Sequence, residues 1–541
     1  MGAPLCARGG EVITRANHIM PTTHPNGATE LHLAMTEMLM AGVQEVLLPN
    51  DRARNPERGL IGLLHASSGR KRRTLLLRQI VVPQPGDVTF DEELGLLFSA
   101  NYKSRASDLA AADGAGLIFL HTHPVWPGRE ASFPRPSPED CESDPRDLFT
   151  LGRSLRSGVP LAAGVVSDAG RWSLREYTFK FPTTAAEVRD PRFQWTAAVA
   201  TYASAVRIVG PGLRKLPTEV RANGPAGAEG SIAPDEQDSS VRLWGDQGQR
   251  ALASLRVGHA GAGGVGGILA EHTARLGVGE ALFIDYDRLA KENFNRSQGA
   301  SRDEAGAHVH KVHVAERLAR ESSTAPNFDA KAVVGSLVEA DSIADLLDCD
   351  IILNAADSPW GRQVLDHLAF AHLIPVVQGG TLLTGDPVTG RVTTGKSEVS
   401  ATGPGHTCSE CVGAYTRREV SEAQEHPSAR GRRRYVDIAG TADAQLVELR
   451  SPSVIAFNAI VAGLMQLRLL AIALGTTASA LVGTQRYHVL EGTMDWALRK
   501  QCKPECQRSA ATALGDYYEL PTGSDLDFAV NRPGFSGDSV S

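Results

Sequence analysis

The sequence lacks an excess of positive charge. Its 541 residues carry a net charge of -7, so bulk electrostatics give no reason to expect nucleic acid as a partner. The basic runs "GRKRR" (69–73) and "RGRRR" (430–434) are short enough to read as solvated loops. An uninterrupted apolar run is also missing. The longest candidate, "SVIAFNAIVAGLMQLRLLAIALG" (453–475), is broken by Asn458, Gln466 and Arg468 and reads as a buried helix rather than a membrane span. The first twenty residues show no apolar core or cleavage site of a signal peptide. Seven unevenly spread cysteines do not make a disulfide framework. A cytoplasmic protein with a metal site fits better. No internal repeat is found.

What is present is enough apolar residue, 42% against 22% charged, for a globular chain of two or three domains. Up to residue 180, helix and strand signals mix. Helical spacing covers 30–47 and 101–114, strands are expected at 59–67, 73–83 and 115–124, and a hairpin at 161–179. A helix near 194–206 precedes a Gly-, Pro- and Ala-rich linker at 210–240. From 241 a βαβ rhythm begins, which argues for a mainly parallel sheet flanked by helices. The turn-rich tail, 526–541, is expected to be disordered. The resulting division is 1–180, a linking segment 181–237, a second unit 238–525 and the tail.

Two segments carry chemistry. In "HTHPVWPGREASFPRPSPED" (121–140), strand alternation puts His121 and His123 on one face, and Pro124 stops the strand. Asp140 can supply a third ligand, leaving one position of a zinc ion for water. Ser137 lies one helical turn before Asp140. Zinc lowers the pKa of bound water to about 7, and Glu57, just before a strand, is the candidate general base. In the order Glu, His-x-His-Pro, Ser-x-x-Asp these residues resemble the JAB/JAMM metalloproteases, over roughly residues 10–180. The resemblance implies an α+β, cytidine-deaminase-like domain that cleaves peptide or isopeptide bonds at the C-terminus of ubiquitin-like proteins. It also implies that Glu57 is the acid/base, that His121, His123 and Asp140 hold zinc, and that Ser137 helps stabilise the oxyanion. The 125–136 loop is longer than the family usually shows.

The second segment, "GAGGVGG" (261–267), follows a strand and opens a helix. Gly261, Gly263 and Gly266 permit a tight turn and close approach of phosphate to the helix N-terminus. Asp285 follows at the end of the next strand, placed for a ribose hydroxyl. Alone, this reads as an NAD site. Asp287, Asn293, Arg296, Lys311, Asp357 and Arg362 turn it towards ATP and magnesium, since cations neutralise phosphate and a carboxylate holds the metal. Together with "VRLWGDQGQRALASLRV" (241–257) and two late cysteine pairs, these residues resemble the ThiF/MoeB and ubiquitin-activating adenylyltransferases over about 238–510. The resemblance implies a Rossmann-like fold and dimers. Asp285 would take ribose, Asn293, Arg296 and Lys311 phosphate, and Asp357 magnesium and adenylation. Cys408, Cys411, Cys502 and Cys506 would form a structural zinc site. The second pair is C-x₃-C where the family usually has C-x₂-C. Where the family has an arginine before the entry helix stands Ser239, so either Arg242 substitutes or the triphosphate is held less tightly.

Both resemblances point to one ligand, the C-terminal glycine of a ubiquitin-like protein, trimmed or released at one site and adenylated at the other. A flexible tether would raise its effective concentration at the second site. A conjugating enzyme or a sulfur donor would take the activated tail; the alternatives are sulfur-carrier activation for cofactor synthesis and an NAD-binding Rossmann protein. Cys6, Cys141 and Cys349 have no evident activating environment, so the chain is expected to stop at the acyl-adenylate.

Overall fold

The computed structural model describes residues 30–48, 57–91, 95–123, 134–167, 170–218, 232–386, 388–425, 453–475, 482–498 and 501–525. The tail at 526–541, residues 219–231 of the Gly-rich linker and Pro124 with residues 125–133 of the loop after it lie outside them.

Two large sheets organise the described chain. Nine strands form the first: β1 (Glu30–Thr36), β2 (Gly59–Ser68), β3 (Arg72–Val81), and, after the separate hairpin of β4 (Val88–Asp91) and β5 (Gly95–Phe98), β6 (Gly116–His123), β7 (Leu161–Ser167), β8 (Trp172–Thr178), β9 (Val199–Tyr202), β10 (Ala205–Val209) and β11 (Leu213–Pro217). Their order is β11-β10-β1-β3-β2-β6-β7-β8-β9, with parallel and antiparallel pairs mixed. The second sheet holds β12 (Arg256–Ala260), β13 (Glu280–Ile284), β14 (Asp329–Val333), β15 (Ile351–Asn354), β16 (Val376–Asp386), β17 (Arg391–Thr402), β18 (Val482–His488) and β19 (Thr493–Leu498). Its order is β14-β13-β12-β15-β16-β17-β18-β19, and the first five strands run parallel. That is the Rossmann-like arrangement the βαβ rhythm anticipates.

Two expectations are corrected. Residues 30–47 are not one helix. Glu30–Thr36 is a strand between β3 and β10, and the helix is Glu37–Leu47, started by Thr36, whose hydroxyl accepts from the Leu39 N–H. Nor is there a helix at 194–206. Short 3-10 turns end at Ala197, and the chain continues as β9 and β10, paired with β8 and β1. Non-local pairing overrides the helical preference of this alanine-rich stretch. The first sheet therefore runs to Pro217, beyond the boundary at 180.

The helix Ile455–Leu474 is long and apolar enough to cross a membrane. Here it packs in the core: Val461, Met465 and Leu469 join a hydrophobic cluster with Val257, Leu353 and Val377 of the second sheet. Its Asn458, Gln466 and Arg468 are buried as well.

The sheets are not merely tethered. Ala34, Leu76, Val209 and Leu213 of the first share that same cluster. Asp350, fully buried just before β15, accepts from Arg72 at 2.7 Å and Lys215 at 2.8 Å, and also from the Arg256 N–H at 3.0 Å. Arg207 stands 3.7 Å away. Asp348 accepts from the N–H groups of Lys71 and Arg72. Burial, though it works against the charged carboxylate, is outweighed by Lys215, Arg72 and Arg207, which hold Asp350 well below the ordinary carboxylate range. Burial and then Arg72 push His32, beside the cluster, down, so it is neutral. The joint lies at the beginnings of β12, β13 and β15.

Asp350→Ala leaves buried cations uncompensated and is expected to cost about 3–5 kcal/mol, read by denaturant unfolding as earlier loss of both sheets together. A cost below about 1 kcal/mol would contradict the role. Because the folded pKa is depressed, this stabilisation is present above the unfolded value of about 3.9 and is lost as pH falls below it.

Candidate functional site

In the first sheet, β6 delivers His121 and His123 to one point, and the helix Pro138–Gly152 delivers Asp140. His121 Nε2 lies 3.2 Å from His123 Nε2 and 3.2 Å from Asp140 Oδ1, and His123 Nε2 lies 3.1 Å from Asp140 Oδ2. Three ligands bonded at ~2.0 Å to a tetrahedral ion stand ~3.3 Å apart, so the set fits zinc. Ser137 caps the helix: its hydroxyl accepts from the Asp140 N–H at 3.1 Å, and its own N–H donates to Asp140 Oδ2 at 2.7 Å. That reciprocal cap fixes the carboxylate. Glu57 is held alongside because Arg58 pairs with Thr122, between the two histidines, through N–H to Oγ1 and carbonyl to N–H. Burial raises the Glu57 pKa, against the pull of His123 and His121.

Asp144 stands behind this set, one turn beyond Asp140. It is buried, takes a 2.6 Å contact from Arg175, and is pushed up by burial to about 6. Sequence reasoning passed over it. Its spacing of four from Asp140, one helical turn, was the available signal.

In the second sheet, the loops after β12, β13, β14 and β15 enclose a cavity of about 840 Å³. Gly261, Gly263, Asp285, Asn293, Arg296, Lys311, Asp357 and Arg362 all line it; Gly266 lies one turn inside the helix. Gly261 has φ +90°, which favours glycine. A Cβ on Gly266 would lie 2.0 Å from the Gly261 carbonyl oxygen. The helix Gly264–Arg275 begins at Gly263 with no side-chain cap, so its first N–H groups face an incoming anion. Asp285 accepts from the N–H groups of Ala262 and Asp287, both at 2.7 Å, which locks the loop to the strand end. Burial raises its pKa, opposed by Lys311. Lys311 reaches Asp287 at 2.7 Å. Arg362 donates to the Ala414 carbonyl, and burial lowers its pKa against the pull of Asp357. Asn293 spends its Oδ1 on the Ala290 N–H.

Neither Ser239 nor Arg242 lines the cavity; Arg242 is exposed and paired with Asp238 at 3.0 Å. Several wall residues were not anticipated. Asn458 reaches in from the helix Ile455–Leu474, and Ser336, Trp360 and Asp525 form another side. The polar interruption at Asn458 was visible, but it served only to exclude a membrane span.

Cys408, Cys411, Cys502 and Cys506 converge, their ligand atoms all within 4.8 Å of one another. The Cys408–Cys506 sulfur distance is 3.6 Å, against ~3.8 Å for two thiolates bonded at ~2.3 Å to a tetrahedral ion. The set fits zinc despite its C-x₃-C half. Cys349 is fully buried, and burial pushes its thiol up to about 12, the opposite of an activated nucleophile.

A glycine turn, an uncapped helix and an acid at the next strand end mark a Rossmann-like unit, and comparison with known proteins narrows it. Residues 236–508, half of the chain, match the ThiF family, and the chain belongs to that family. It is 32% identical over 136 residues to the sulfur carrier protein ThiS adenylyltransferase of Bacillus subtilis (strain 168), covering 25% of this chain and 40% of that protein. To the tRNA threonylcarbamoyladenosine dehydratase of Escherichia coli (strain K12) it is 30% identical over 144 residues, 26% and 52% of the two chains. To the molybdopterin-synthase adenylyltransferase of Escherichia coli (strain K12) it is 29% identical over 136 residues, 25% and 53%. The chain thus spans about half or less of these relatives. Among solved structures, E. coli MccB with ATP aligns over 51% of this chain and 74% of its own, at 15% identity and a TM-score of 0.39.

Gly266→Ala drives a methyl group into the Gly261 carbonyl and is expected to destabilise by about 1–3 kcal/mol. At Gly263 nothing lies within 4 Å of a Cβ, so Gly263→Ala is expected to change stability by less than about 0.5 kcal/mol. Thermal unfolding of the two variants side by side checks this; equal effects would contradict the loop geometry.

Proposed function

We propose that this chain adenylates the C-terminal glycine of a ubiquitin-like or sulfur-carrier protein with ATP, and that its first sheet carries a zinc peptidase acting on the same kind of tail. The observation that carries the first part is the cavity at the ends of β12, β13 and β15, which an uncapped helix N-terminus, Arg296, Lys311, Asp285 and Asp357 line together. The triphosphate lies against the helix N-terminus, Arg296 and Lys311, and Asp285 takes a ribose hydroxyl. Asp357 would hold magnesium, which would supply charge neutralisation at the phosphates. A carboxylate oxygen of the terminal glycine attacks the α-phosphorus; the bond to the bridging β-phosphate oxygen breaks, and pyrophosphate leaves with its electron pair. The product is an acyl-adenylate. With Cys349 buried and four cysteines gathered in one cluster, the adenylate passes to another protein's cysteine or to a sulfur donor. The sulfur-carrier reading draws on the names of two relatives, the ThiS and molybdopterin-synthase adenylyltransferases. A homodimer would give Arg242 a cavity to reach across the interface.

The second part rests on the convergence of His121, His123 and Asp140 at the separations a tetrahedral ion requires. Zinc there would supply Lewis acidity and an acidified water. Glu57 takes a proton from the water side and returns it to the leaving amine. Ser137 holds Asp140 in place. The domains proposed are 1–217 for the peptidase and 238–525 for the adenylating unit, the cytosol being the compartment that suits free thiolates on zinc.

Two zinc ions per chain are expected by elemental analysis. His121→Ala/His123→Ala should remove one, and Cys408→Ser together with Cys502→Ser the other. A double histidine variant that keeps all the zinc would contradict the first site.

Asp357→Ala is expected to lower ATP–pyrophosphate exchange, driven by a mature tail ending in glycine, by at least a hundredfold, while cleavage of a C-terminally extended tail continues. Glu57→Gln should do the reverse. Unchanged exchange in Asp357→Ala would contradict the adenylation reading.

A further inference from the structure

The segment after the second cysteine pair does not simply leave the fold. Past Cys506 it crosses to the first sheet, where Tyr517 stacks on His65 at 5.2 Å between ring centroids and the Asp516 carboxylate accepts from the Ser68 N–H. It then returns over the second sheet. Tyr518 meets His367 at 2.6 Å, the Trp360 indole N–H donates to the Pro521 carbonyl at 2.8 Å, and the Gly523 N–H donates to the Val338 carbonyl at 2.9 Å. The fit at Gly523 is close: a Cβ there would lie 2.9 Å from the Trp360 ring. Two residues later Asp525 enters the nucleotide cavity, where it accepts from the Ser336 hydroxyl at 2.5 Å.

The position of this carboxylate is specific. Sheet order puts β14 beyond β13, on the side away from the glycine turn and β15. If phosphate sits at the glycine turn and ribose at Asp285, the wall after β14 meets the base. Leu337 and Val338 form that wall with Ser336, whose hydroxyl holds Asp525, and the Trp360 ring, from the helix after β15, packs against them and against Gly523. A flat, mostly apolar slot edged by a carboxylate suits a base that presents an amino group. A carboxylate accepts from an amine and repels a carbonyl oxygen in the same place.

The geometry points to Asp525 as a specificity residue of the nucleotide site, accepting from the 6-amino group of adenine and seated by the strap Tyr518–Asp525. This rests on the nucleotide reading of the cavity. It assigns base selection to a residue more than 160 positions from the strand-end loops that hold ribose and phosphate, delivered by anchors on Trp360 and Val338.

The test is binding of ATP and of inosine triphosphate, whose base carries an oxygen in place of the amino group, to the full chain with magnesium, by titration calorimetry. The wild type is expected to prefer ATP by at least tenfold, the range for a hydrogen bond to a charged group. Asp525→Ala should lose about tenfold for ATP, with inosine triphosphate within about twofold of wild type. Trp360→Phe keeps a ring but removes the indole N–H, and is expected to weaken ATP by about threefold while retaining part of the preference. An Asp525→Ala variant with the wild-type affinity and preference would overturn the assignment, as would equal loss for both nucleotides. A wild type that binds both nucleotides equally would overturn it while leaving the nucleotide site intact. Binding of neither would contradict the nucleotide reading itself and this assignment with it.

Discussion

One carboxylate without access to water, Asp350, fixes how the two sheets meet. Arg72, Arg207 and Lys215 come from three strands of the first sheet, and the Arg256 N–H from the second. A charge buried this deeply is tolerated only when its partners are in place, so the strands must arrive in one register. Arg207 shows the tension in the cluster: burial and the neighbouring Arg72 lower its pKa to about 9. A shared apolar cluster on either side of the joint supplies the non-directional part of the association, and the ions supply the register.

The place of the joint decides where chemistry is possible. It occupies the beginnings of the parallel strands, and the cavity proposed for the nucleotide occupies their ends. On the first sheet, Ser67 and Ser68 at the end of β2 contact His372 and Asp516, whereas Glu57 and the two histidines gather at its beginning, where Gly59 pairs with His121. Ten residues of strand put ~30 Å between those ends. Each candidate site is therefore at the end of its sheet remote from the joint. A tail handled by both would leave one site before reaching the other, which is not the short transfer that a loose tether suggests.

Much of this could be read from the residues, because the chemistry sits in short local patterns. Alternation in a strand brings His121 and His123 together, a capping box brings Asp140 to them, and a glycine turn before a helix marks the anion site. These need no long-range information. The rest depends on packing between distant segments. Glu30–Thr36 fits helical spacing and becomes a strand because β3 and β10 flank it. The alanine-rich stretch after Trp195 becomes β9 and β10 for the same reason. In the sequence Asp350 is one acid at the start of a buried strand, and its cations are spread from Arg72 to Lys215. Asn458 and Asp525 enter the cavity from elements that carry no nucleotide motif.

The central claim is that nucleotide binds at the strand ends remote from the joint, in a body whose two sheets move as one. Amide hydrogen exchange of the full chain with and without ATP and magnesium tests it most directly. The account predicts slower exchange at 261–267, 285–296 and 336–338, with β1, β3 and residues 348–350 unchanged and already well protected. Protection that appears around 348–350 and not at 261–267 would contradict it.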